Sequence, residues 1–201
     1  MIPTSRPALR KQLRKARNTL TPAQQRQASL ALARHLAHHP LFIRSRHVAF
    51  YLANDGEIDP AAAMRRAQRR GKSCYLPVLS RWPATQMRFQ RLEKSQRWRK
   101  NRFGITEPVP NPRRQVKTWR LQLILMPLVG FDRNGNRLGM GGGFYDRALA
   151  YLRRRSRWQS PQLLGVAHQC QEVKQLSSAA WDIRLNGIVS DQGSQMFLPR
   201  Q

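Results

Sequence analysis

The apolar run at residues 121–129 (LQLILMPLV) limits the fold most, because a strand with so few polar positions belongs inside a sheet and not on its wet edge. Shorter strand-like stretches lie at residues 47–52, 73–79, 87–92, 163–168 and 187–190. Pro77 implies that the second of these is an edge, an end or a bulge. Helical patterns alternate with these stretches. One helix is expected from about residue 60 to 70, stopped by Gly71, and another from about 143 to 154. Strands alternating with helices predict an α/β layered fold with a mainly parallel sheet. Residues 100–117, rich in Pro, Asn and Arg, read as an irregular connection.

The N-terminus reads as a helical hairpin. Leu9, Leu13, Ala16 and Leu20 recur at helical spacing, and Ala28, Leu32 and Leu36 do so in a second helix that ends before Pro40. Thr21 and Gln24 have capping-box spacing, with Pro22 at the favoured first helical position. The hairpin's outer surface is strongly basic. Apart from loose tails, residues 1–201 are expected to form a single domain.

No window approaches the ~18 apolar residues of a membrane span, and the N-terminus lacks the apolar core of a signal peptide. It is Arg-rich and acid-free, like a mitochondrial presequence. Cys74 and Cys170 are too few for a disulfide framework or a zinc site. Cys74 reads as a small buried hydrophobe, and a reducing cytoplasm is the expected compartment.

Lys and Arg total 37 against 10 Asp and Glu, a formal charge of +27. Such an excess points to a polyanionic partner, with nucleic acid first in line. The basic residues are spread over the chain, however, and no motif of a known nucleic-acid-binding module accompanies them. The rarity of acids makes each one informative. None precedes Asp55, and Asp55, Glu57 and Asp59 cluster after a strand, where open α/β sheets place their ligands. Asp59, before Pro60, reads as a helix N-cap. Glu57 has no such structural role and is the better functional candidate.

Gly139, Gly141, Gly142 and Gly143 precede the predicted helix at residue 143. Closely spaced glycines let a ligand approach the backbone, and a helix starting there points free N–H groups at an anion. Arg137 and Arg147 flank the segment. No Gly-Lys-Ser/Thr follows, and Phe144 replaces the third glycine of the dinucleotide fingerprint. Phosphate binding and a tight structural crossing both fit the spacing. Asp146 fits a dipole complement or a ligand of a divalent ion. Asp182 fits a helix cap, a solvated acid or a second metal ligand.

Residues 125–132 (LMPLVGFD) together with 136–147 (NRLGMGGGFYDR) resemble the signature of the 5-formyltetrahydrofolate cyclo-ligase, or methenyltetrahydrofolate synthetase, family. In the family's order, Leu9 and Arg10, residues 51–59, 71–77 (GKSCYLP), 103–108 (FGITEP), 164–168 (LGVAH) with Gln171, and Trp181 with Asp182 also fit. The resemblance covers about residues 6–191 and argues against a cleaved presequence.

The resemblance implies a three-layer α/β/α domain of the ribose-phosphate isomerase and CoA-transferase type. It also implies ATP-dependent cyclisation of 5-formyltetrahydrofolate to 5,10-methenyltetrahydrofolate through a phosphorylated formyl intermediate, with Mg²⁺ as cofactor; separately, a monomer is the expected state. ATP would be held by Arg6, Arg10, Arg137, Leu138, Gly139, Met140, Gly141, Gly142, Gly143, Phe144 and Tyr145. Folate would be held by Leu52, Glu57 and residues 140–144, and Mg²⁺ by Asp146 and Asp182. Arg137, Tyr145 and Asp146 would form the catalytic set. Arg6 stands where the family commonly has Lys, and the two are not equivalent toward phosphate. The rival expectation is a basic nucleic-acid-binding protein on the same scaffold. Against it, Glu57, Asp146 and Asp182 persist in a chain otherwise poor in acids.

Overall fold

The computed structural model describes residues 5–80, 82–154, 160–177, 179 and 182–197. Two helices open it, α1 (Arg6–Asn18) and α2 (Pro22–His38). The Thr21 hydroxyl accepts the Gln24 N–H and the Gln24 side chain accepts the Thr21 N–H, so the predicted capping box forms. The chain does not simply leave the helix at Pro40. Proline suits a first helical turn, and a third helix, α3 (Pro40–Arg44), starts there.

The sheet strands follow: β1 (His47–Ala49), β2 (Ser73–Leu79), β3 (Met87–Arg91), β6 (Gln115–Val116), β7 (Leu123–Pro127), β10 (Gln162–Val166), β11 (Gly187–Val189) and β12 (Ser194–Met196). Among the described residues they form one eight-stranded sheet in the order β12-β11-β10-β7-β1-β2-β3-β6. The five strands β11, β10, β7, β1 and β2 run parallel, and the flanking strands are antiparallel. The predicted mainly parallel α/β sheet is therefore the observed one. The 121–129 run supplies the central strand β7, where Leu123, Ile124 and Leu125 are wholly buried.

One face of the sheet is covered by α2 and by α4 (Ala61–Arg69), whose Leu32, Leu36, Ala63 and Ala67 pack on Val48, Leu76, Leu123 and Leu125. The other face packs Ile124, Met126 and Phe89 against Leu149, Ile183 and Leu185. This second layer is thin. The helix expected over 143–154 is instead one turn, α5 (Phe144–Ala148), then a 3-10 stretch at Ala150–Arg154. The two are divided at Leu149, which is wholly buried and has left helical geometry at φ −111°.

The predicted strand at 47–52 is ladder-paired over His47–Ala49, the Phe50 N–H makes a last bond to the Tyr75 carbonyl at 2.8 Å, and residues 51–52 continue past the sheet into a cleft. Pro77 marks an end and not an edge. Its nitrogen faces the β1 side of β2, but β1 stops opposite Tyr75, so no N–H is needed there. Residues 100–117 are less irregular than expected. β4 (Trp98–Lys100) pairs with β5 (Thr106–Pro108), and β6 pairs with β3. The hairpin completes the edge that β1 leaves open, since the buried Glu107 accepts the Leu79 N–H at 3.0 Å and an Arg99 fork at 2.6 and 2.9 Å. β8 (Gly130–Phe131) and β9 (Arg137–Leu138) flank the predicted turn, whose Asp132 carboxylate accepts three N–H groups from residues 134 and 136. Cys74 is buried as expected, and burial pushes its thiol up to about 12.

Candidate active site

A cleft of about 890 Å³ opens beyond the C-terminal ends of β1, β2 and β7, where α/β sheets bind ligands. It lies near the upper end of the size range of small-molecule sites, roughly 300–1,000 Å³. Its walls include Arg6, Arg10, Leu52, Glu57, Arg137, Gly139, Met140, Gly141, Gly142, Gly143, Phe144, Tyr145, Asp146 and Asp182. The fold thus brings together every site residue expected from the sequence but one. Leu138 is 1% exposed and packs with Leu9, Leu13, Val129 and Leu176 under α1, outside the cleft. Alternation along a strand explains this, because its neighbours Arg137 and Gly139 point the other way.

The glycine segment is shaped by charge as well as by small size. Arg10 donates to the Gly139 carbonyl at 2.8 Å, and its guanidinium carbon would stand 3.6 Å from a Cβ on Gly141, whose φ is +98°. Arg147 donates to the Gly142 carbonyl at 2.6 Å and to the Thr85 carbonyl at 3.0 Å. Gly143, in left-handed conformation, starts α5. With only five residues, α5 adds little dipole, so the cations carry the attraction for an anion.

Both candidate metal ligands are held by arginines. Asp146 pairs with the nearly buried Arg137 at 2.5 Å, and Asp182 pairs with Arg6 at 3.0 Å. Arg137 also donates to the Ile183 carbonyl, which ties the turn of α5 to the segment carrying Asp182. Asp182 further accepts the Ala179 N–H at 2.9 Å. Trp181 lies outside the described residues. Two carboxylates lining one cleft are a donor set that suits Mg²⁺, which commonly takes one or two protein carboxylates and completes its shell with phosphate oxygens and water. The buried Arg6 Nε, without a partner among the described residues, is a donor left over for such a phosphate.

On the opposite wall, Glu57 accepts the Asn54 N–H at 3.2 Å. Burial raises its pKa from 4.5 to about 7, although Arg17 opposes the shift. Burial, and then the Glu57 charge, push the Tyr51 and Tyr145 phenols upward as well. Asp59 does serve the start of α4, accepting the Ala61 N–H at 2.8 Å, but the N-cap position itself falls to Pro60, one residue later than expected.

Sequence reasoning missed Phe103 as a site residue. Its ring meets Phe144 edge-on at 5.9 Å, with Arg102 4.9 Å from its centroid, so the hairpin tip contributes an aromatic wall to the cleft. A lone aromatic in a Pro/Asn/Arg-rich connection was the available signal. The role of Arg17, argued below, was also missed.

Residues 3–191 match the model of the 5-formyltetrahydrofolate cyclo-ligase family. The chain is 36% identical to the 5-formyltetrahydrofolate cyclo-ligase of Haemophilus influenzae, covering 92% of this chain and 96% of that protein. It is 37% identical to the enzyme of the same name from Escherichia coli K12, covering 89% and 96%. Its fold superposes on the solution structure of Aquifex aeolicus 5,10-methenyltetrahydrofolate synthetase with a TM-score of 0.81 at 27% identity, covering 98% and 94% of the two chains.

Proposed function

The chain belongs to the 5-formyltetrahydrofolate cyclo-ligase family, a family of ligases, and we propose that it converts 5-formyltetrahydrofolate to 5,10-methenyltetrahydrofolate at the expense of ATP. The observation that carries this reading is the single cleft in which Arg6, Arg10, Arg137, Asp146 and Asp182 face Glu57 and Leu52. A phosphate-binding wall and a wall suited to a flat polar ring share one space.

On this reading the formyl oxygen attacks the γ-phosphorus, an O–P bond forms and ADP leaves. N10 then closes on the formyl carbon, its proton is lost, and the C–O bond breaks with release of phosphate. The chemistry needs positioning and charge neutralisation more than acid–base groups. Arg10 would bind a phosphate oxygen from its place on Gly139 and Gly141. Arg137 and Arg6 would turn from their carboxylates to phosphate. Asp146 and Asp182 would hold Mg²⁺, which supplies further neutralisation of the phosphate charge. Glu57 would hold the pterin ring through its N–H donors, with Leu52 and Phe144 beside it. Tyr145, half-buried near Glu57, would fix that carboxylate's surroundings.

Oxygen-18 placed in the formyl group tests the intermediate. Label recovered in inorganic phosphate is the expected result, and label retained in solvent water or in the folate would overturn it. No helix among the described residues is long and apolar enough to cross a membrane; the enzyme is read here as a cytoplasmic monomer. The +27 charge favours a weak, salt-sensitive association with polyanions at the outer surface, separate from the cleft.

A further inference from the structure

The apolar stripe of α1 runs Leu9, Leu13 and then, one turn on, Arg17. That arginine is wholly buried, which is costly for a charge unless it is paired and fully hydrogen-bonded. Each of its three guanidinium nitrogens has an acceptor. It donates to the Asp55 carbonyl at 2.7 Å, to the Asp55 carboxylate at 2.8 Å and to the Leu128 carbonyl at 3.2 Å. Arg14 and Asn18 reach the same carboxylate at 2.7 and 3.2 Å, and Gln25 donates to the Gly56 carbonyl at 3.4 Å.

The held segment is a tight turn. Glu57 N–H donates to the Asn54 carbonyl at 3.1 Å, and the two central residues, Asp55 and Gly56, have φ of +51° and +73°. This is the pattern of a type I′ turn, and Asp55 is the one non-glycine residue with positive φ among the described residues. A Cβ at Gly56 would stand 2.0 Å from the Asn18 amide oxygen, so the turn presses directly on the end of α1. Glu57 is the next residue, and its carboxylate closes back on Asn54. Apart from the Leu128 bond, all of these contacts restrain one loop.

We propose that Arg17 and Asp55 form a clamp that positions Glu57 for folate, so that α1 sets the folate wall with its C-terminal end and the phosphate wall with Arg6 and Arg10. The role rests on the functional reading above. Arg17 and Asp55 are positioning residues and act through Glu57. The Leu128 contact extends the clamp to the root of the β8–β9 hairpin that carries Arg137, so both walls are referred to the same helix.

The test compares Asp55→Gly with Asp55→Asn. Glycine accepts the positive φ without strain but removes the carboxylate, whereas asparagine tolerates that φ and keeps an acceptor for Arg17. Asp55→Gly is expected to raise the KM for 5-formyltetrahydrofolate about tenfold while the KM for ATP stays within about twofold. Asp55→Asn is expected to restore much of the loss. Amide exchange at Glu57, read by NMR, is expected to quicken in Asp55→Gly and to stay slow in Asp55→Asn. A folate KM unchanged in Asp55→Gly, or both KM values rising in parallel, overturns the clamp. If the unmodified chain shows no turnover, the functional reading fails instead, and Glu57 amide exchange alone decides whether the clamp exists.

Discussion

Arg6 and Asp182, 176 positions apart in the chain, meet in an ion pair of 3.0 Å across the cleft that the whole fold encloses. Together with Arg137 and Asp146 they make two arginine–carboxylate pairs lining one cleft. Such pairs are poised for exchange. On the proposed function, nucleotide phosphate would take the arginines, and the freed carboxylates would become available to a divalent cation.

Asp146→Ala should therefore separate binding from chemistry. Turnover is expected to fall by about 10²–10³, the usual loss when one charge-stabilising group is removed. In EDTA, ATP affinity should stay level or rise, because Arg137 no longer has a competing carboxylate. Calorimetry with and without Mg²⁺ reads this: the unmodified chain gains affinity on adding Mg²⁺, and the variant does not.

Arg10 has no acidic partner among the described residues and rests on the glycine segment. A charge-assisted hydrogen bond of about 1.5–3 kcal/mol corresponds to roughly 10–100-fold in binding. Arg10→Ala is expected to raise the ATP KM by that factor and to leave the KM for 5-formyltetrahydrofolate near its original value. Steady-state kinetics with each substrate varied in turn checks it.

Glu57 gives a pH signature with a definite sign. Its pKa of about 7 in the folded chain lies above the ordinary 4.5, so the folded state holds the proton more tightly. Its contribution to stability is fully present below pH 4.5 and is lost as pH rises through about 7. Asp55, held by Arg14 down to about 2, acts oppositely, stabilising above 3.8 and losing that contribution toward pH 2. Thermal melts of Glu57→Gln should lose the decline between pH 4.5 and 7. On the proposed function the folate N–H donors would need the carboxylate form, so 5-formyltetrahydrofolate affinity should weaken below pH 7 in the unmodified chain and be flatter in the variant.

Leu138 should behave as a core residue. Leu138→Ala opens a cavity under α1 and is expected to cost about 2–5 kcal/mol in urea unfolding. Leu138→Met, of similar volume, should cost less than about 1.5 kcal/mol.

Much of this architecture is visible in residue patterns. The 121–129 run gives the central strand, and Thr21 with Gln24 gives the helix boundary, because both signals are local. The glycine segment and the rare acids identify the cleft, with family likeness joining positions such as Arg6 and Asp182 that spacing cannot bring together. The missed features are tertiary. Leu149 divides α5 from the 3-10 stretch by inserting into a core that only the folded sheet creates. The β4–β5 hairpin lies in a stretch without alternation and is stabilised by Glu107, whose partners come from Arg99, Asn101 and Leu79. Arg17 looked like one more cation in a basic helix, and its role depends on a loop 38 residues away.

The most direct test of the account is the near-ultraviolet absorbance of methenyltetrahydrofolate after the purified chain is mixed with 5-formyltetrahydrofolate, ATP and Mg²⁺. The account predicts a rise that requires both ATP and Mg²⁺, is accompanied by stoichiometric ADP and phosphate, and is lost in Asp146→Ala. A well-folded preparation that gives no rise, or one that gives it without ATP, would contradict it.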